Sequence, residues 1–391
     1  MTRFLLLAPV ALAVVVALIP SPAPGCAIAP LKGQSGTSVQ TASEQAVIIY
    51  DQANRMEHFI RTASFTGTSA EFGFLVPTPS KPDIAEADPA IYGDLANLTK
   101  PKVEIRKVSK SNFGIGCGSS EGTFANVASD VGERAMPGAK NGVHVVEQKR
   151  VGNLIVNILQ AETPQALRDW LGKNGYDDRP ELTEWLNPYT TMKWYISAFK
   201  IAADVTGPVV TAGKVNEPSR TVALTGTTVR MSFPIDRPFY PYREPSDVQH
   251  LNPPGGRLLR VYMLASTIST GLIGFENGKA WPGRAVWAGH LPTDAMDAVA
   301  RDSKLATLNS KDTAWFLTEF EDRSSPRPGT DELYFGPAPD QSPIERPPII
   351  KYEYIDRTRE DAALFFGIVF VVVISLALGI VGIVRRLKRA V

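Results

Sequence analysis

The chain contains two cysteines, Cys26 and Cys117, which are its most reactive side chains. Exported cysteines in an even number usually pair, so the sequence predicts one disulfide between them. Two alternatives stay open. Cys26 could carry a lipid, although residues 22–25 lack the aliphatic residue expected before a lipidated cysteine. Cys117 could be a nucleophile, although no histidine lies near it in the sequence to activate its thiol.

The other residues that could do chemistry are scattered. The four histidines are His58, His144, His250 and His290. Their spacing is not that of a zinc protease. The adjacent carboxylates Asp177 and Asp178 follow Asn174-Gly175, which is more typical of a solvated turn than of an acid–base pair. The sequence therefore predicts no catalytic residue, metal ligand or cofactor, with a hydrolase site assembled from dispersed residues as the alternative.

Two segments rich in aromatic residues are the candidate binding surfaces, one at 233–256 and one at 276–290. The candidate side chains are Phe239, Tyr240, Tyr242, Arg243, Trp281 and Trp287. In one interpretation, rigid proline bends display them to a peptide, a glycan or a protein partner. In the other, they pack beneath the bends and the prolines end edge strands, which is the more typical arrangement.

An uncharged run of 23 residues, Ala362 to Val384, predicts a transmembrane helix. Basic residues follow it in the tail 385–391, whereas Glu360 and Asp361 precede it. The positive-inside rule therefore predicts a single-pass protein of the cell membrane, with this tail in the cytoplasm and the mature chain before the apolar run outside it.

The N-terminus is typical of a secretory signal peptide. Arg3 precedes an apolar stretch that ends at Ile19, and small residues follow up to Gly25. We expect cleavage near Gly25, so that residues 1–25 are removed. All 40 acidic residues lie between this peptide and the apolar run, together with most of the 41 basic ones. The mildly acidic exterior gives no indication of nucleic-acid binding.

The exported segment is predicted to be α+β, with mixed or antiparallel sheets and a few short helices. Apolar segments such as 45–50 and 154–159 are typical of strands, but they do not alternate regularly with helices. The clearest helix begins after Thr163, which is its expected N-cap. We expect a first part of the ectodomain at 26–205, a second part at 206–322, and a stalk at 323–361 with seven prolines between Ser324 and Pro348.

Four stretches carry a resemblance to a known family. They are residues 72–79 (FGFLVPTP), 95–101, 167–176 (LRDWLGKNGY) and 233–245 (FPIDRPFYPYREP). With these stretches in this order and spacing, residues 26–320 resemble a bacterial family known as domain of unknown function 2330. The resemblance implies an exported, membrane-tethered bacterial protein and carries over no catalytic residues. We expect a non-enzymatic binding or scaffolding module with an envelope protein or glycan as partner.

Overall fold

The computed structural model describes residues 27–30, 40–41, 44–67, 72–110, 142–176, 179–202, 209–211, 220–249, 258–276, 278–306, 308, 314–356 and 358–387. The strands in these residues are β1 (Ala27–Pro30), β2 (Gln40–Thr41), β3 (Glu44–Asp51), β4 (Met56–Gly67), β5 (Phe72–Thr78), β6 (Asp83–Glu86), β7 (Val103–Lys110), β8 (Val143–Val151), β9 (Leu154–Ala161), β10 (Tyr195–Ile201), β11 (Val209–Thr211), β12 (Arg220–Pro234), β13 (Phe239–Tyr240), β14 (Leu259–Ala265), β15 (Ser269–Ile273), β16 (Lys279–Ala280), β17 (Arg284–Leu291), β18 (Trp315–Asp322), β19 (Leu333–Pro337) and β20 (Ile349–Asp356). The helices are α1 (Ala90–Leu98), α2 (Pro164–Lys173), α3 (Pro180–Thr191), α4 (Ser246–Gln249), α5 (Thr293–Asp302) and α6 (Thr358–Leu387).

The largest sheet has the strand order β11-β12-β4-β3-β14-β18-β17, with β2 beside β4 and β6 beside β12. β3 and β14 are parallel, whereas the other neighbours on this path are antiparallel. Ala46 and Ile48 of β3 belong to one core, and Val47 and Ile49 belong to the other. A strand buried on both faces must be apolar throughout, which explains why this run has no polar alternation.

A second, antiparallel sheet has the order β1-β5-β10-β9-β8. Its residues Phe74 and Phe199 stack with ring centroids 4.5 Å apart, and they share the first core with Ala46 and Ile48. On the other side of the large sheet, helices α1 and α5 complete the second core. The domain is therefore two sheets packed together, with α1 and α5 against the large sheet and α2 and α3 against strands of the second sheet, which confirms the predicted α+β class.

Helix α2 begins as its sequence predicts. The Thr163 side chain accepts a hydrogen bond from the Ala166 backbone N–H at 3.2 Å, and Pro164 occupies the first turn. Leu167, Trp170 and Leu171 are buried, because residues three and four apart share one face of a helix.

A small sheet with the order β13-β19-β15-β16 changes the expected extent of the domain. The sequence predicts a stalk from 323, but Leu333 and Phe335 of β19 are fully buried. The prolines permit this because they lie at the margins of the strand. Pro326 and Pro328 precede β19 and Pro337 is its last residue, so no central N–H is missing from the ladder.

The chain divides into two compact units. The first, called the domain, comprises residues 1–99 and 128–345. It contains both parts that the sequence predicts on either side of 205. Strand β12 pairs with β4 from Pro234↔Met56 to Val222↔Gly67, so the large sheet draws on both parts and no boundary separates them there.

The second unit comprises residues 100–127 and 346–391. Its strands β7 and β20 form a parallel pair over eight residues, from Ile349↔Val103 to Asp356↔Lys110. Helix α6 follows directly. Its segment Phe366–Arg386 is long and apolar enough to cross a membrane, and none of it is buried. One apolar helix near the C-terminus could therefore anchor the chain in a membrane.

Replacing either of two glycines by alanine should change the free energy of unfolding, but in opposite directions. A Cβ on Gly73 in β5 would lie 2.3 Å from Tyr176 Cε1 and 2.6 Å from the Phe199 backbone oxygen, whereas a Cβ on Gly93 in α1 would meet no atom within 4 Å. We expect Gly73→Ala to lower the free energy of unfolding by about 1–3 kcal/mol through overpacking. The control Gly93→Ala should raise it by up to about 1 kcal/mol, since alanine favours helix. Urea denaturation measures both, and equal effects would contradict the expectation.

Candidate functional site

Two cavities flank the turn Ile235-Asp236-Arg237, which leaves the end of β12. The first has a volume of about 470 Å³ and the second about 690 Å³. Both volumes are within the range of small-molecule sites. Besides the turn, the first is lined by Tyr50, Gln52, Met263, Thr267, Leu272 and Pro337. The second is lined by Arg55, Pro79, Met192, Trp194, Phe275 and Tyr334.

The turn is held against the β3–β4 hairpin. The Ile235 N–H donates to the Arg55 carbonyl at 2.9 Å, and the Tyr50 hydroxyl donates to the Asp236 carbonyl at 2.9 Å. Arg55 has a φ of 51°, which is the left-handed region that side chains other than glycine rarely adopt. Burial raises the pKa of Tyr50, so its hydroxyl stays a neutral donor. The wall between the cavities is therefore fixed from one side by backbone and phenol contacts.

Arg237 is part of the wall of both cavities. Its Nε donates to the Phe335 carbonyl at 3.2 Å and its Nη1 donates to the Phe275 carbonyl at 3.0 Å. The guanidinium carbon also lies 5.7 Å from the centroid of the Tyr334 ring. These contacts fix the plane of the guanidinium, which remains partly exposed.

Behind the same segment lies a buried ionic cluster around Arg327. Its Nη1 lies 3.1 Å from Glu44 Oε2 and 3.3 Å from Glu244 Oε1, and its Nε lies 3.8 Å from Asp322 Oδ2. Burial alone would lower the pKa of Arg327, but these carboxylates raise it. The four side chains are almost fully buried, so their role is to join distant segments within the core.

Aromatic side chains add hydrogen bonds to the carboxylates of this cluster. Tyr240 donates to Glu44, and Tyr242 donates to Asp322 Oδ2 at 2.7 Å. The indole Nε1 of Trp281 donates to the same Asp322 oxygen at 3.0 Å. Burial raises the pKa of Tyr240 and of Tyr242, so both remain hydroxyl donors.

A second buried carboxylate, Glu332, organises the next part of the segment. Its Oε1 accepts a hydrogen bond from the Tyr189 hydroxyl at 2.6 Å, and its Oε2 accepts one from the Tyr242 backbone N–H at 2.9 Å. Arg243 pairs with Glu332 at 3.3 Å and with Asp331 at 2.7 Å, which leaves its side chain 21% exposed. These bonds connect α3, the segment after β13 and the start of β19.

The structure places the six predicted surface residues mostly inside. Phe239, Tyr240, Tyr242 and Trp281 are buried, Arg243 is bound to carboxylates, and Trp287 packs half-buried against the second core. They do not form an exposed binding surface. The prolines around them end strands as the second interpretation has it, so the aromatic rings fill the space beneath the bend.

Several predicted residues lie outside the described part of the chain. They are Cys26, Cys117, Asp177, Asp178 and His250. Of the histidines within it, His144 and His290 are exposed, and His58 is buried with its Nδ1 2.8 Å from Ser232 Oγ. No group of three or more metal-binding side chains occurs among the described residues.

Arg237 lies in the candidate segment 233–256 but is not one of the six candidate side chains, and sequence reasoning missed Arg327, Glu44 and Glu332 altogether. A signal was present for Glu44, because it lies at the start of a strand with an apolar centre, and a buried charge there needs a partner. Arg327 lies between two prolines and is indistinguishable in sequence from a solvated arginine. Its partners come from positions as far apart as 44 and 322, which only the fold brings together.

His58 gives a prediction about pH. Burial, together with the charge of Arg230, lowers the pKa of His58 to about 4. The unfolded chain binds a proton near pH 6.5 but the folded one does not, so stability should rise between about pH 4 and 6.5, by up to about 3 kcal/mol. Glu57 has the opposite effect on stability, because burial raises its pKa. Its contribution to the free energy of unfolding falls as the pH rises above the ordinary pKa of a glutamate.

The test is urea denaturation of His58→Gln between pH 4 and 7. Glutamine can keep the bond to Ser232 but does not titrate, so the difference from the native chain should shrink as the pH falls toward 4. His144→Gln, at an exposed position, is the control and should leave the pH dependence unchanged. A native pH dependence in His58→Gln would contradict the assignment.

Comparison with known proteins gives one match. The model of a family described as an uncharacterized protein conserved in bacteria, DUF2330, matches residues 22–330. No curated protein and no solved structure matches the chain. The matched range includes the turn with Arg237, the cluster residues Glu44, Glu244 and Asp322, and Arg327. Since the match covers most of the 391 residues, this chain belongs to the bacterial family DUF2330.

Proposed function

We propose that the chain is a membrane-anchored binding or scaffolding module of the bacterial envelope, with its domain outside the cytoplasm. The apolar segment of α6 supports anchoring, and the basic residues that follow it support a cytoplasmic tail. The signal-peptide pattern of residues 1–25 supports export. Protease treatment of intact spheroplasts tests this orientation, since it should remove the domain and spare only the anchor and tail.

One observation carries the binding function, namely the pair of cavities that share the Asp236–Arg237 wall. Phe275 and Met192 at the second cavity are 55% and 48% exposed, although both are large and apolar. Trp194 and Tyr334 form further parts of its lining. A concave, partly aromatic site with a few charged groups is the usual form of a ligand site.

The composition of the lining favours binding over hydrolysis. Among the described residues, neither cavity is lined by histidine or cysteine, and Asp236 is the carboxylate that both share. Asp236 pairs with Arg55. A glycosidase-type hydrolase needs two carboxylates about the scissile bond, and a general base needs a group free to accept the proton.

Export also bears on the two cysteines. We propose that Cys26 and Cys117 form a disulfide. Both would lie in an oxidising compartment, and the two cysteines of the chain suffice for one bridge. The mass of the intact protein should rise on reduction and show no lipid. A lipid mass, or free thiols in protein prepared without reductant, would overturn this proposal.

The binding function is tested by capture from the envelope. Full-length protein in lipid nanodiscs is incubated with solubilised envelope, and the bound molecules are identified by mass spectrometry. We expect a reproducible protein or glycan partner that is lost in Phe275→Asp and in Met192→Asp.

Val145→Asp is the matched control. Val145 is also large, apolar and 46% exposed, but it lies on β8 and lines neither cavity. Each variant is first shown to be folded by its thermal unfolding transition. Capture that is unaffected by both cavity variants, or equally weakened by Val145→Asp, would refute the cavity as the site. Shortened glycans in the captured fraction would instead favour a hydrolase.

A further inference from the structure

The charge of Arg237 is not balanced by a carboxylate in the described part of the chain. Its two hydrogen bonds go to neutral backbone carbonyls of Phe335 and Phe275, and its third contact is the Tyr334 ring. The nearest carboxylate in sequence, Asp236, pairs with Arg55 instead. Arg237 therefore presents a positive charge that its surroundings hold in place without neutralising it.

Two other partly buried arginines of the domain differ from Arg237 in this respect. Arg243 and Arg260 have side chains 21% and 23% exposed, and each pairs with two carboxylates. A half-buried cation usually needs such partners, because burial without them is unfavourable. Arg237 therefore differs from Arg243 and Arg260, because its half-buried charge is held by backbone carbonyls and an aromatic ring.

The surroundings of Arg237 are apolar on both sides. Trp194, Phe275 and Tyr334 lie in the second cavity, and Met263 and Leu272 lie in the first. The charged side chains at the second cavity are Arg55, Asp236 and Arg237, so its net charge is positive. An apolar site with one fixed guanidinium is complementary to an amphiphilic anion, and guanidinium matches the geometry of a carboxylate with two N–H donors.

We propose that the second cavity binds a molecule with an apolar body and a carboxylate, and that Arg237 donates hydrogen bonds to that carboxylate. This inference rests on the proposed function, because it requires the cavity to be a binding site. The carboxylate could belong to the C-terminus of a peptide or to a non-peptide acid, and the two share the same recognition by Arg237. The apolar body packs against Trp194 and Phe275.

The test uses two pairs of probes with full-length protein in lipid nanodiscs, measured by isothermal titration calorimetry. The peptide pair is N-acetyl-Leu-Phe and its C-terminal amide, and the non-peptide pair is 3-phenylpropionate and 3-phenylpropionamide. We expect the acid of at least one pair to bind about tenfold or more tightly than its amide, as for a charge-assisted hydrogen bond. The pair that binds identifies the source of the carboxylate.

Arg237→Gln should bind the acid and the amide equally, and Arg237→Lys should retain part of the preference because it keeps the charge. Arg284→Gln, at an exposed arginine of β17 that lines neither cavity, should retain all of it. Equal binding of acid and amide by the native chain would overturn the carboxylate assignment while leaving the cavity as a binding site. No binding of either pair, or a preference that survives Arg237→Gln in a folded variant, would also overturn it. Failure of the envelope capture would refute the binding function itself.

Discussion

Arg327→Met is expected to lower the free energy of unfolding by about 3–5 kcal/mol, because it leaves buried carboxylates without their shared cation. Glu44, Glu244 and Asp322 all lie within 4 Å of the guanidinium, and each is less than 4% exposed. Methionine fills a similar volume, so the loss reports mainly the missing charge and hydrogen bonds. Urea denaturation of the full-length protein in nanodiscs gives the value.

Two further variants separate the ionic effect from packing. Arg323→Met replaces an arginine four residues away that is 63% exposed, and it should cost less than about 1 kcal/mol. Adding Glu244→Gln to Arg327→Met should cost less than the sum of the single changes, since one uncompensated charge is removed. Additive effects, or an equal cost at Arg323, would show that the cluster does not stabilise the domain through its charges.

A chain that ends at Asp322 is expected to lose cooperative unfolding, whereas one that ends at Glu345 should keep it. The shorter chain lacks β19, which pairs with β13 and β15, and it lacks Arg327 and Glu332. Leu333 and Phe335 are fully buried, so their removal opens the first core to water. The expected loss exceeds the whole stability of a typical domain, which is about 5–15 kcal/mol.

The measurement is thermal unfolding followed by near-ultraviolet circular dichroism, with both chains secreted and purified in the same way. The two chains differ only in residues 323–345, so the longer one controls for loss of the membrane anchor. A sharp transition in the chain that ends at Asp322 would show that the small sheet is dispensable.

The parts of the fold that depend on local patterns could be predicted from the sequence. The apolar run of α6, the cap at Thr163 and the strand at 45–50 each follow from residues that are neighbours along the chain. The prolines of residues 323–337 led to the prediction of a stalk where the structure has strand β19. Proline itself is unfavourable in the middle of a strand because it has no N–H to donate. The apolar residues between two prolines can still form a strand.

The candidate site could not be predicted, because its residues become neighbours only after folding. Arg237 lies in a stretch that the sequence singles out for its aromatic residues, yet those rings are buried and the adjacent charged turn borders the cavities. The carbonyl partners of Arg237 lie at positions 275 and 335, and carbonyl groups have no signature in the residue types. Within this one stretch, the aromatic residues are therefore buried and the charged turn faces solvent, a difference that appears only in the folded chain.

The parallel pairing of β3 with β14 sets an order of events during synthesis. Glu44 pairs with Leu259, more than 200 residues later in the chain. At about 5–20 residues per second, the ribosome needs roughly 10–40 s to supply that partner. During this time one edge of β3 has no strand beside it, and Val47 and Ile49 lack the neighbours Tyr262 and Leu264 that later cover them. The large sheet can therefore be completed only after β14 has been synthesised, and β3 keeps an open edge until then.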